Sequence, residues 1–204
     1  DKNSDGKIQY VILEGELGHQ DAIIRTESVA ESMKENGVEL EKLSYQIANW
    51  NRAQAQNRMT QLIGQYKNSI ELVIANNDAM ALGAMDAYEK LGITDSNYPV
   101  FFGIDGTDEG LEAVRQSKLA ATVYNDKEGQ AYAMAQLAYA VVTGYGMNNI
   151  GFENKKYIYL PYKKVTAGNV TDFIDNILLA LLLLIFFKFT NEYKSLFSIS
   201  FLLL

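Results

Sequence analysis

Apolar positions fall into short continuous runs separated by amphipathic stretches. Gln9–Glu14 (QYVILE), Ile70–Ala75 (IELVIA), Pro99–Ile104 (PVFFGI) and Ala120–Tyr124 are compact, β-rich and apolar throughout, the mark of strands buried on both faces. Val38–Ile47 carries a weaker strand pattern that ends at Asn49-Trp50. Between these runs apolar residues recur at helical spacing. The spacing predicts helices over Asp21–Asn36, closed by Gly37, over Arg52–Tyr66, and over Asp78–Leu91, closed by Gly92. Thr107–Ser117 and the Ala-rich Lys127–Thr143 follow the same pattern, and Lys156–Pro161 (KYIYLP) reads as a last strand. Strict β–α alternation with apolar strands implies right-handed crossovers and a parallel sheet covered on both faces. The expectation is a doubly wound α/β fold.

The pattern breaks near Asn176. Residues 177–204 hold five of the nine Phe and none of the fifteen Gly, and Ile177–Phe187 is an unbroken apolar run of eleven residues. Such a run covers about half of a bilayer's hydrocarbon core as a helix. Crossing would have to carry Lys188 and the polar Thr190–Lys194 into lipid, which is costly. The tail is therefore read as foreign to the fold, with a membrane anchor as the alternative. At the other end the sequence opens inside a motif, and an N-terminal portion is expected upstream.

The 204 residues carry 18 basic against 25 acidic side chains, a net charge of −7. Without the tail's +1 the body stands at −8. This balance speaks against nucleic acid, whose binding domains carry a basic stripe. With no cysteine there are no disulfides, thiolate nucleophiles or zinc-thiolate sites.

Two constellations carry chemistry. Asp1-Lys2-Asn3-Ser4-Asp5-Gly6-Lys7-Ile8-Gln9 matches the opening of a calcium loop, with oxygens at positions 1, 3 and 5, a turn glycine at 6 and a backbone carbonyl at 7. Position 12 is Ile12 where the bidentate Glu belongs, and a strand follows where a helix should, so that carboxylate must come from elsewhere in the fold. A polar Asp/Asn/Gly turn is the plainer alternative.

The second constellation lies at the strand ends, where ligands of open α/β sheets bind. Gly18-His19-Gln20-Asp21 and Arg25 follow the first strand, Trp50 the second, Asn76-Asn77-Asp78 the third, Asp105 the fourth and Asn125-Asp126 the fifth. Carboxylates, carboxamides, a forked guanidinium and an aromatic face suit the hydroxyls and C–H patches of a neutral polyol. No Walker pattern or GxGxxG cradle for phosphate is present. Singly, each residue has a plainer role. His19 reads as a loop residue, Asp21 and Asp78 as helix caps, Trp50 as core, and Asn77, Asn125 and Asp105-Gly106 as turns. For Asp78 the cap is preferred; for the rest, their joint placement favours a site.

GHQDAIIRT, ANW, VIANNDAMALGA, FFGIDG and TVYND, behind DKNSDGKIQ, closely resemble the galactose/glucose-binding proteins of bacterial sugar transporters, which are type I periplasmic binding proteins. The likeness runs from Asp1 to about Asn176. It implies a Rossmann-like lobe of a two-lobed receptor. Residues 1–124 would form the C-terminal lobe, 125–159 a remnant of the N-terminal lobe, 160–176 a return to the C-terminal lobe, and 177–204 the foreign tail. It also implies calcium ligands at Asp1, Asn3, Asp5, Lys7 (carbonyl) and Gln9, with Glu71 as the missing carboxylate. Sugar-binding positions fall on His19, Asp21, Arg25, Trp50, Asn77, Asp105 and Asn125. His19-Gln20-Asp21 stands where the family often has His-Pro-Asp.

The resemblance further implies a non-enzymatic, periplasmic or extracytoplasmic protein. Its partners would be D-galactose or D-glucose, a membrane ABC permease and a chemoreceptor, with no nucleic acid. A sugar-responsive repressor's effector domain is the alternative. A glycosidase using Asp21 and Asp105 has no support in the sequence.

Overall fold

A computed structural model of the chain describes residues 1–93, 98–154 and 156–174. The reading of Ile177–Phe187 and of the rest of the tail lies outside the described residues. Two units separate along the chain: Asp1–Ala167, and Gly168–Leu204, of which 168–174 are described as a turn leading into a short helical segment.

The first unit is built on a six-stranded sheet. Its strands are β1 (Ile8–Glu14), β2 (Leu40–Ile47), β3 (Leu72–Ala75), β4 (Val100–Phe102), β5 (Ala121–Tyr124) and β6 (Lys163–Thr166), in the order β2-β1-β3-β4-β5-β6. The first five pair in parallel and β6 closes the edge antiparallel to β5. Five helices accompany them: α1 (Gln20–Glu35), α2 (Arg52–Tyr66), α3 (Asp78–Lys90), α4 (Asp108–Arg115) and α5 (Lys127–Thr143). Strand order reverses between β1 and β3, and such a topological switch point opens a crevice at the carboxyl ends of the strands.

Alternation along the strands sorts the core into two layers. Tyr10, Ile12, Leu72 and Ile74 pack with Val29 and Met33 of α1. Val11, Leu13 and Val73 are fully buried on the opposite face. There α3 packs closely on α2, and a Cβ at Gly83 would come within 2.1 Å of the Arg52 carbonyl. Burying these aliphatic side chains stabilises the lobe by about 1.5–3 kcal/mol each before chain entropy is subtracted.

Two expectations are corrected. Lys156–Pro161 is not a strand: Glu153 and Tyr157 form only an isolated bridge, and Tyr157 and Tyr159 are exposed. The edge strand is Lys163–Thr166, whose sequence KKVT has one buried side chain, Val165. Its ladder is set by pairing with β5 rather than by its own apolar content. The sheet is accordingly mixed rather than wholly parallel.

Helix starts are capped as the sequence chemistry requires. The Asn51 side chain accepts from Gln54 N, Asn77 from Met80 N, Thr107 from Gly110 N and Asp126 from Gly129 N. Asp78 is therefore not the cap of α3. Asn77 is, and Asp78 is the first helical residue, with its side chain turned inward.

Candidate functional site at the switch point

Each strand of the parallel set delivers its following loop to the same end of the sheet. After β1 the chain turns at Gly15–Gly18, and His19 caps α1 by accepting the Asp21 N–H at Nδ1 (3.2 Å), which leaves Nε2 carrying the ring hydrogen. One turn into the helix, Arg25 is mostly buried. Its Nη1 donates to the Asn76 carbonyl at 2.9 Å and to Asp105 Oδ1 at 3.3 Å, and Nη2 lies 3.7 Å from Asp21 Oδ2. A guanidinium offers several donors in a fixed plane, so one side chain joins the β1, β3 and β4 loops.

Trp50 follows β2 in a left-handed backbone conformation, φ 60°, directly after Asn49 at φ 51°. Two successive residues in that region turn the indole back over the end of β1. A Cβ at Gly15 would lie 2.2 Å from the ring, so only glycine leaves space for it. The Arg25 guanidinium carbon sits 5.6 Å from the Trp50 ring centroid, and His19 approaches its edge with centroids 5.3 Å apart. Asn77 Nδ2 donates to the Trp50 carbonyl at 3.4 Å.

Asp105 lies at φ 125°, a costly conformation for a residue with a Cβ. Its N–H donates to Val123 O, and its carbonyl accepts from Asn125 N at 2.9 Å, which ties the β4 and β5 loops together. Burial pushes its carboxyl above the usual carboxylate range, while Arg25 pulls it back. Asn125 turns its side-chain oxygen toward Gln130 Nε2 (2.6 Å). Asp105 and Asn125 border a groove of about 480 Å³, with Ala79, Leu82 and Lys127. The seven residues read from the sequence thus stand together at the carboxyl ends of the strands. Six are joined by side-chain contacts, and Asn125 joins through its backbone.

The support beneath them lies outside the sugar-binding set: the sequence places Asn76 only within a strand-end tripeptide and reads Asp78 as a helix cap. Asp78 is fully buried between Gly103 and Gly110, where a Cβ would come within 2.4 and 2.2 Å of its carboxylate oxygens. It accepts from Thr122 Oγ1 at 2.6 Å, Thr107 N at 2.9 Å and Thr107 Oγ1 at 3.3 Å, and so pins the turn that follows Asp105. Burial raises its pKa to about 6, against the pull of these hydrogen bonds. Buried Asn76 and Glu14 join the half-buried Thr26 in a second cluster beneath Arg25. The sequence signal was an amide beside Asn77 at a strand end, and glycines at 103 and 110 that leave room for a carboxylate.

The amino-terminal loop gathers at the opposite end of β1 and β3. Asp1 accepts at its two oxygens from Asp5 N (3.1 Å) and Gly6 N (2.9 Å), Asn3 Oδ1 from Asp5 N (2.9 Å), and Asp5 Oδ1 from Lys7 N (2.8 Å). Gly6 takes φ 87°, which the turn requires. Glu71 is nearly buried just ahead of β3 and faces the loop with both oxygens. Oε1 accepts from Lys2 N and Asn3 N, and Oε2 from Gln9 N at 3.2 Å. Burial raises its pKa, but these backbone bonds outweigh it and hold the carboxyl below its ordinary value.

The oxygen-rich donor set suits a hard cation, with Glu71 supplied from outside the loop. Asn3 Nδ2 and Gln9 Nε2 point at Asp5 Oδ2 (3.0 and 2.7 Å), and an amide turnover would present oxygen there instead. Among the described residues no group of three or more His, Cys, Asp or Glu side chains forms a metal cluster, so amide and carbonyl oxygens would have to complete the shell.

A mostly parallel sheet with polar and aromatic groups gathered at its switch point has the form of an α/β lobe of the kind that holds small ligands there. Comparison with known proteins places it further: the periplasmic binding protein domain family matches residues 2–146, and the chain belongs to that family. It is 37% identical over 177 residues to the D-galactose/methyl-galactoside binding periplasmic protein MglB of Haemophilus influenzae, covering 85% of this chain and 52% of that protein. It is 32% identical over 172 residues to a putative rhizopine-binding protein of Rhizobium meliloti, at 83% and 52% coverage. An ABC transporter solute binding protein of Bacillus halodurans, solved with bound myo-inositol, superposes with a TM-score of 0.70 at 32% identity, covering 84% of this chain and 56% of that one. The chain spans about half the length of the curated relatives it matches. No helix among the described residues is long and apolar enough to cross a membrane.

Proposed function

We propose that this chain is the larger part of one lobe of an extracytoplasmic receptor that captures a hexose, D-galactose or D-glucose, for an ABC importer, without catalysing a reaction. The observation that carries this reading is the placement of Arg25, bonded to Asp105 and lying against Trp50, with Asp21, His19, Asn77 and Asn125 around the same crevice. Such a set offers acceptors and donors to vicinal hydroxyls and an aromatic face to the ring C–H groups. The relative of known name that binds D-galactose supports the choice of hexose. A chemoreceptor is a further partner that the resemblance suggests.

Residues 125–159 are assigned to the other lobe of such a receptor. Tyr132, Met134, Tyr139, Val141 and Val142 of α5 are exposed, as expected of a helix separated from its sheet. Asp1, Asn3, Asp5, the Lys7 carbonyl, Gln9 and Glu71 would hold calcium, which locks the loop to β3 and takes no part in sugar contact. The sugar reading is tested by equilibrium titration of this chain, joined to the N-terminal lobe of its D-galactose-binding relative, against galactose, glucose, ribose and myo-inositol. Micromolar or tighter hexose binding that Trp50→Ala abolishes supports it, and binding unaffected by Trp50→Ala overturns it. For the 204-residue chain alone, tight binding is not expected, because a hinged receptor closes two lobes around its ligand.

A further inference from the structure

One buried side chain bonds the end of β3, which leads to Asn77, to the β1 turn against which Trp50 lies and to the helix that carries Arg25. Asn76 has no exposed surface. Its Oδ1 accepts the N–H of Gly15 at 3.1 Å, across the switch point from β3 to β1, and its Nδ2 donates to Thr26 Oγ1 at 3.1 Å in α1. The Thr26 hydroxyl donates its own hydrogen to Glu14 Oε2 at 2.9 Å. That assignment leaves Oγ1 as an acceptor and fixes which end of the amide faces which partner; the 3.4 Å approach of Oγ1 to Oδ1 then carries no hydrogen. The Asn76 carbonyl takes Arg25 Nη1, and the Gly15 backbone is the floor against which the Trp50 ring lies.

We propose that Asn76 is the positioning residue of the crevice. Its amide fixes the spacing between the Trp50 platform and the Arg25 guanidinium, with Thr26 and Glu14 as its support. The inference rests on the reading of the crevice as a sugar site, since it assigns Asn76 a role through Arg25 and Trp50 rather than through ligand contact. No other uncharged side chain of its size does the same work. Alanine leaves Gly15 N without an acceptor, and aspartate loses the donor to Thr26 and sets a second carboxylate beside Glu14.

Trp50 is the only tryptophan, so intrinsic emission reports this geometry without any ligand. The experiment compares Trp50 emission and acrylamide quenching in the native chain with those in Asn76→Asp, Thr26→Val, Thr26→Ser and the control Val114→Ala, each below its melting temperature as judged by far-UV circular dichroism. Asn76→Asp and Thr26→Val are expected to move emission to longer wavelength and to steepen quenching. Thr26→Ser, which keeps the hydroxyl, should match the parent, and Val114→Ala should lose stability without moving Trp50. Native-like emission in both Asn76→Asp and Thr26→Val overturns the proposal, as does an equal change in Val114→Ala. If Asn76→Asp does not fold, the Thr26 pair decides alone. Because no sugar enters this measurement, its failure is distinct from a failure to bind hexose.

Discussion

Arg25 and Trp50 form a cation–aromatic pair across the crevice, the guanidinium carbon 5.6 Å from the ring centroid, while the same guanidinium holds Asp105 at 3.3 Å and the Asn76 carbonyl at 2.9 Å. One cation therefore serves a carboxylate, a carbonyl and a π face. Arg25→Ala is expected to cost roughly 1–3 kcal/mol in urea unfolding, since Asp105 and the Asn76 carbonyl lose a charged donor together. Arg25→Lys should restore only part, because an ammonium cannot reproduce the planar fork. Equal stability of the Ala and Lys variants would sink the argument from geometry.

Asp78 makes the stability of the lobe depend on pH in a defined sense. Burial raises its folded pKa from 3.8 to about 6, so between those values the folded state binds more protons than the unfolded state. Stability from this group is then lost as pH rises through that window, and the cost is complete above pH 6. The shift corresponds to at most about 3 kcal/mol. Glu71, whose carboxyl is held below its ordinary value, contributes with the opposite sign, its stability being lost as pH falls. The informative quantity is the difference between the parent and Asp78→Asn. That difference should move in favour of Asp78→Asn as pH goes from 4 to 7, measured by urea midpoints. A difference independent of pH would show that the carboxyl does not titrate there.

Sequence reasoning reached the strand ends but not the support beneath them, for a physical reason. A residue such as Trp50 or Arg25 at the end of an apolar run announces itself by its chemistry, and the parallel topology then dictates that such positions converge. Asp78 and Asn76 stand beside Asn77 in the same tripeptide, yet nothing in the local pattern says which of the three turns inward. For Asp78 that choice is made by Gly103, Thr107 and Gly110 of the β4–α4 segment and Thr122 of β5, and for Asn76 by Gly15 and Thr26. The β6 edge failed for a related reason. KKVT is legible as a strand only through its pairing with β5, whereas the tyrosines of Lys156–Pro161 imitate strand alternation but make only the single bridge from Tyr157 to Glu153.

The exposed apolar face of α5 has a consequence in solution. Tyr132, Met134, Tyr139 and Val142 are each more than 60% exposed on a single helix, and clustered apolar surface of this kind drives association. Light scattering on the purified chain should show mass rising with concentration, and Val142→Lys together with Met134→Lys should suppress it. Unchanged association in the double variant would place the contact surface elsewhere.

Calcium should act on stability through Glu71 and the loop it faces. Both Glu71 oxygens are satisfied by backbone N–H groups from Lys2, Asn3 and Gln9, so the loop is already drawn toward β3, and a cation would be bound by groups near their final positions. A ligand that binds only the folded state adds about 2.7 kcal/mol at a hundred times its dissociation constant. The melting temperature in excess calcium should therefore exceed that in chelator by several degrees. Glu71→Gln should abolish the difference, though it keeps only one of the two acceptor oxygens and so also lowers the melting temperature in chelator, and Asp5→Asn should reduce the difference by removing one negative charge from the shell. Magnesium should do less, since the mixed amide and carboxylate shell favours the larger, more loosely coordinated ion. An identical melting temperature with calcium and with chelator would reject the metal assignment and leave the loop as a turn stapled to β3 by Glu71.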